Sequence, residues 1–106
     1  MNDVQWVEAS RALATRVIRE GGQETGKRLN LMSAILLSRE APPKMAAVLE
    51  ASLKQMEDHY RADPKAAHAL VNVGEKKHDT SIPEPELAAW TMVASEMLNL
   101  DETVTK

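Results

Sequence analysis

The chain of 106 residues contains no cysteine and no phenylalanine, and aromatic residues make up only 3% of it. The absence of cysteine excludes disulfides, thiolate metal sites, a cysteine nucleophile and the covalent attachment of c-type haem. No uninterrupted apolar run approaches the length needed to span a membrane, and the N-terminus lacks the basic and then apolar layout of a signal peptide. We therefore expect a protein without membrane insertion and without a cofactor.

The charge balance is slightly acidic, with 16 acidic side chains, 13 basic side chains and a formal net charge of −3. Proteins that bind nucleic acids usually carry a basic patch, because they neutralise phosphates. A helix-turn-helix domain would also need a basic recognition helix, and the second predicted helix described below is mostly apolar. The sequence therefore predicts no nucleic-acid partner.

The composition favours helices. Hydrophobic residues make up 43% of the chain, a fraction typical of folded domains. Alanine, leucine, valine and methionine supply most of them, whereas the aromatic residues that favour strands are nearly absent. With this length there is room for one core only. We predict an all-α protein, a compact bundle of about five helices in a single domain over residues 1–106.

Capping residues, glycines and prolines divide the chain into five predicted helices. The first is capped by Asn2 or Asp3, runs to about residue 20 and ends at two consecutive glycines. The second covers residues 25–38 and stops before Pro42 and Pro43. The third runs from that proline pair to about residue 62, and Asp63 with the following proline opens a fourth that ends near residue 73. A polar loop over residues 75–83 leads to the last helix, which begins near residue 85 and ends near Asn99.

The apolar periodicity indicates which faces point inward. The second helix is apolar over more than half of its circumference, so we expect it to be the central helix of the bundle. On the third helix, the apolar stripe includes Val48, which we therefore predict to face the core. On the last helix, Trp90 lies in the middle of the apolar face. On the first helix, Trp6 lies at the edge of the apolar face. The other predicted inward residues are Val7, Ala14, Val17, Ile18, Leu29, Met32, Ile35, Leu36, Met45, Leu49, Ser52, Leu53, Met56, Tyr60, Leu87, Thr91, Ala94, Met97 and Leu98.

The three histidines do not form a ligand motif. Metal ligands on one helix are three or four residues apart, whereas His59 and His68 are nine apart and belong to different predicted helices. His78 falls in the polar loop, where we expect a solvated side chain. The sequence therefore predicts ordinary surface histidines and no metal site.

Three pairs of carboxylates are candidates for acid–base chemistry, which requires groups held in a pocket. The first pair, Glu57 with Asp58, lies on the polar face of the third helix. The second pair, Glu84 with Glu86, lies in the first turn of the last helix, where the helix dipole favours negative charge. Both pairs therefore have structural explanations. Asp101 and Glu102 follow the predicted end of the last helix, where negative charge is unfavourable unless a cation offsets it. Arg39 or Arg28 is the predicted partner.

Several segments taken together resemble the C-terminal part of the large planctomycete proteins of domain-of-unknown-function family 1553. The opening from Asn2 to Ala14 is similar to that family's recurrent Asn-Asp-x-x-aromatic-Val-Glu-Ala-small-Arg segment. Arg28 and the turn over residues 36–42 resemble its Arg…Leu-x-Arg-x-Pro junction. Asp63 with Pro64, Gly74 with Glu75 and the tail from Glu86 to Glu102 also match. The resemblance covers nearly the whole chain, and the residues that we single out as structural or interaction candidates are Trp6, Arg11, Arg28, Arg39, Trp90, Asn99, Asp101 and Glu102.

The resemblance implies a C-terminal module of a long, exported bacterial protein, at the periplasm or the cell surface, with Met1 inside a longer polypeptide. Members of the family often carry a cytochrome-c-like segment, but its Cys-x-x-Cys-His motif is absent here, so the resemblance implies no haem function for these residues. The family has no assigned catalytic residues to carry over. The partner that it implies is the upstream region of the parent protein or another protein.

Three hypotheses about function follow from these observations. In the first, the chain is a non-catalytic module that packs against the parent protein, a partner or a further copy of itself. In the second, it is a small autonomous helical regulator whose gene starts at Met1. In the third, Asp101, Glu102 and a buried arginine form part of an enzyme site that upstream residues complete. We expect Trp90 and Arg39 to be structurally decisive under each of them.

Overall fold

The computed structural model describes the backbone of residues 3–105 and the side chains of residues 3–100. Five helices and their connections account for this part of the chain, without a strand, so the all-α prediction is confirmed. The Cα radius of gyration is 12.8 Å, close to the value expected for a compact domain of this length. The helices are α1 (Val4–Glu20), α2 (Thr25–Leu37), α3 (Pro43–Ala62), α4 (Pro64–Val71) and α5 (Glu84–Thr105).

The helix starts follow the predicted caps. The Asp3 carboxylate accepts a hydrogen bond of 2.7 Å from the Gln5 backbone N–H, which satisfies a free donor in the first turn of α1. Asp63 does the same for α4, at 3.1 Å from the backbone N–H of Ala66. Asn2, the other predicted cap of α1, lies outside the described residues.

The helix ends differ from the predictions in two places. Helix α4 ends at Val71 instead of residue 73, and Gly74 then turns the chain at a φ of +87°, a value that glycine adopts without steric cost. Helix α5 continues to Thr105, so the predicted end near Asn99 is wrong. Asparagine is only a weak helix breaker, and no glycine or proline follows it to stop the helix.

Helix α5, and not α2, is the centre of the bundle. It packs against each of the other four helices, most extensively against α1 and α3. Its fully buried residues include Ala88, Ala89 and Ala94, whose small side chains let the neighbouring helices approach closely. The apolar surface of α2 is only partly covered, because Leu31, Ile35 and Leu36 are half-buried. The prediction of a central α2 is therefore wrong.

The core lies between α5 and the surrounding helices. Trp90 is 1% exposed and is the largest fully buried side chain, as predicted. Val48 is 63% exposed, which contradicts its predicted inward position. The apolar stripe of α3 is wider than the strip that contacts the core, so Val48 is left at its edge. The buried apolar residues are Ala14, Val17, Leu29, Met32, Leu49, Leu53, Tyr60, Ala67, Val71, Ile82, Leu87, Ala88, Ala89, Trp90, Val93, Ala94 and Met97.

Candidate functional site

Arg11 holds the end of α4 and the following loop against α1. Its side chain is buried, and Nη1 donates hydrogen bonds to the backbone oxygens of Val71 at 2.9 Å and Val73 at 2.7 Å. Nη2 donates to the Lys76 backbone oxygen at 2.9 Å. Carbonyls at the end of a helix have no partner within the helix. Arg11 therefore completes α4 from a position about 60 residues earlier in the chain.

Arg28 joins the turn after α1 to the start of α5. Nε donates to the Gly22 backbone oxygen at 2.7 Å, and Nη1 lies 2.9 Å from Glu86 Oε1. The guanidinium carbon lies 5.7 Å from the centroid of the Trp90 ring, within the range of a cation–π interaction. Its side chain is 8% exposed. Both buried arginines thus bind groups of the protein itself and join separate elements of the bundle.

Trp6 connects the first turns of α1 to α5. Its indole Nε1 donates a hydrogen bond of 2.7 Å to Ser95 Oγ. The indole is partly buried, in agreement with its predicted place at the edge of the α1 face. Trp6, Arg11, Arg28 and Trp90 therefore all contribute to contacts between helices.

We predict a measurable coupling between Trp6 and Ser95. Replacing Trp6 with phenylalanine and Ser95 with alanine, singly and together, gives a double-mutant cycle in urea unfolding. The expected interaction free energy is about 0.5–1.5 kcal/mol, because one neutral, partly buried hydrogen bond is lost. Additive effects of the two substitutions would contradict the hydrogen bond.

The carboxylate of Glu84 lies between two histidines at the start of α5. Its Oε2 atom lies 3.0 Å from His68 Nδ1 and 3.5 Å from His78 Nε2. The side chain of His78 is 11% exposed, so the prediction of a solvated histidine is wrong. Within the side chains that the structure describes, no group of three or more histidines and carboxylates is placed to hold a metal ion.

The remaining predicted residues lie toward the other end of the bundle. Arg39 is exposed after the end of α2 and forms no salt bridge with a described side chain. Arg28, the other predicted partner of the C-terminal carboxylates, pairs with Glu86 instead. The side chains of Asp101 and Glu102 lie outside the described residues, and the pairing of Arg39 with Asp101 stays a prediction. Their backbone belongs to α5, so they do not follow a helix end as expected.

A polar groove of about 580 Å³ runs between α1 and the loop before α5. Two contacts tie its walls together: Arg19 Nη1 lies 3.4 Å from Asp79 Oδ2, and the Glu8 carboxylate accepts a hydrogen bond from the Lys76 backbone N–H. Hydrogen bonds from the hydroxyl and backbone N–H of Ser81 hold the pKa of the Asp79 carboxyl below its ordinary value. These contacts order the loop.

An apolar groove of about 500 Å³ lies between the first turns of α3 and the later turns of α5, and we call it the α3–α5 groove. Among the described side chains, the large exposed hydrophobic residues are Val4, Val48 and Leu100, and two of these three line this groove. Leu100 is 39% exposed. Asn99, one of the residues singled out from the sequence, also lies here. The full lining is Lys44, Met45, Val48, Leu49, Glu96, Asn99 and Leu100.

The groove was not predicted from the sequence, because the apolar pattern of α3 placed Val48 in the core and the predicted end of α5 fell before Leu100. Within residues 3–105, none of the helices combines the length and apolar character needed to cross a bilayer. No protein-family model, curated protein or solved structure matches this chain.

Proposed function

We propose that this chain is a non-catalytic helical interaction module, the C-terminal region of a larger exported bacterial protein, and that it binds through the α3–α5 groove. The observation that carries the proposal is the concentration of exposed apolar surface in this groove. Exposed apolar residues that form one concave patch, bordered by polar side chains, are typical of a protein–protein contact.

The polar groups elsewhere support a structural role. Arg11 and Arg28 bind backbone oxygens and Glu86, and the carboxylate of Glu84 is held by two histidines. A catalytic group needs an unshared atom directed at a substrate in a cleft. The α3–α5 groove, by contrast, presents mainly aliphatic side chains, which contribute binding and no acid–base chemistry.

The resemblance to the planctomycete family supports the placement in a larger, exported protein. Four of the residues that carry it, namely Trp6, Arg11, Arg28 and Trp90, make the contacts that join the helices. The proposed partner is the upstream region of the parent protein, another polypeptide or a further copy of the chain.

Photo-crosslinking tests the proposal. A benzophenone amino acid replaces Val48 in the full-length protein in its source cells. The same replacement at Val4 is the control, because Val4 is also exposed, at 49%. We expect position 48 to crosslink to one defined peptide, identified by mass spectrometry, and position 4 to remain without a product. Equal behaviour of the two positions would refute binding through the groove.

A further inference from the structure

The two helices that form the α3–α5 groove run antiparallel. Ser52 Oγ donates a hydrogen bond of 2.7 Å to Glu96 Oε1, which fixes the middle of α3 against α5. Lys44, near the start of α3, lines the groove together with Leu100, which lies one turn after Glu96. Two features hold α3 and α5 together beside the groove: the hydrogen bond from Ser52 to Glu96 and the buried side chain of Leu49.

Charges of opposite sign lie on either side of Val48. Lys44 is four residues before Val48 and Ser52 is four residues after it, so the three share one face of α3 at steps of about 6 Å. The carboxylate of Glu96 lies beside Ser52. Along this face the groove therefore presents a positive charge, an exposed apolar centre and a negative charge.

We propose that a second copy of the chain covers the α3–α5 groove, with Val48 at the centre of the contact. A two-fold axis through Val48 brings the two α3 helices together in antiparallel orientation. Val48 then meets Val48 of the second copy, and Lys44 lies opposite the carboxylate of Glu96 in that copy. The surface is self-complementary in charge and in apolar character, which a two-fold contact requires. This inference rests on the proposed function and specifies its partner.

The small side chains of α3 permit this approach. Ala47 and Ala51 are exposed on the side of Val48 that faces away from Leu49, so a second α3 helix can lie against the edge of the groove without displacing bulky groups. The apolar part of the contact is short, because Val48 of each copy forms its centre. Interfaces with a small buried area belong to the weak, transient class. We therefore expect a weak dimer that forms only at high protein concentration.

Sedimentation equilibrium of the 106-residue chain, up to about 1 mM, tests the dimer. We expect the apparent mass to rise from 11.7 kDa toward twice that value with concentration. Val48→Glu places two carboxylates at the two-fold axis and is expected to weaken association more than about tenfold. Val4→Glu makes the same change at another exposed valine and should leave association as in the unaltered chain. An unaltered chain that stays at 11.7 kDa at all concentrations would overturn the proposal.

Charge reversal tests the register. Lys44→Glu sets a carboxylate opposite Glu96 of the second copy, and we expect dimerisation to weaken about tenfold. The added Glu96→Gln change removes the repelling charge and keeps an oxygen that accepts from Ser52, so it should restore part of the affinity. Lys44 lies in the first turn of α3, where a glutamate is favourable, so the single variant is expected to fold. A dimer affinity that neither change alters would exclude this arrangement.

The two proposals fail separately. A crosslink from position 48 to the upstream region of the same polypeptide, combined with a monomeric isolated chain, would overturn the second copy as occupant and retain the groove as a binding surface. Dimerisation that survives Val48→Glu unchanged, combined with no specific crosslink from position 48, would overturn both.

Discussion

Replacing Trp90 with alanine is expected to lower the free energy of unfolding by about 3–5 kcal/mol, the usual cost of removing a large aromatic side chain from a core. Trp90 is 1% exposed and lies on α5, which contacts every other helix. The same ring lies beneath the guanidinium of Arg28. A small domain has about 5–15 kcal/mol of stability in total. The variant should therefore melt at a much lower temperature and with little cooperativity.

Urea unfolding followed by far-ultraviolet circular dichroism measures this effect. Trp6→Ala provides the matched control, because Trp6 is only partly buried. We expect the loss at Trp90 to exceed that at Trp6 clearly. An unchanged unfolding midpoint for Trp90→Ala would refute its place in the core.

Replacing Arg11 with alanine is expected to cost about 2–4 kcal/mol, since three backbone oxygens lose charged donors and one of these hydrogen bonds is buried. The loss should be concentrated at α4 and the loop that follows it. Arg11→Lys should recover little, because an ammonium group cannot reproduce the planar set of donors that reaches three oxygens.

Arg16→Ala is the control for Arg11. Arg16 is on the same helix, its side chain is 53% exposed, and its partner is Glu20 at 3.4 Å. Exposed pairs of this kind contribute about 0.3–0.5 kcal/mol. Hydrogen exchange measured by nuclear magnetic resonance would locate the effect. Equal losses at the two arginines, or exchange that rises evenly over all helices, would contradict the assignment of Arg11 to α4.

Much of the fold is predictable because its signals are local. Asp3, Asp63 and the two prolines at the start of α3 satisfy or remove backbone donors within a few residues, so their effect does not depend on distant contacts. The central position of α5 is not local. It follows from how closely the neighbouring helices approach its alanines, whereas the strongly apolar α2 remains partly uncovered.

The candidate site was harder to predict, because its contacts also join residues that are distant in the sequence. The resemblance pointed to Arg11 and Arg28, but their partners lie about 60 residues away in the sequence, and spacing alone does not identify them. Val48 fits the apolar period of α3 as well as Leu49 does. Only the tertiary contact between α3 and α5 shows that Leu49 is buried and Val48 is exposed.

The length of the native polypeptide is the most direct test of the central claim, that these residues form a module of a larger protein. An antibody raised against this chain is applied to a denaturing gel of the source cells. We predict a band far above 11.7 kDa. A band at 11.7 kDa would contradict the claim and would identify the chain as an autonomous helical protein.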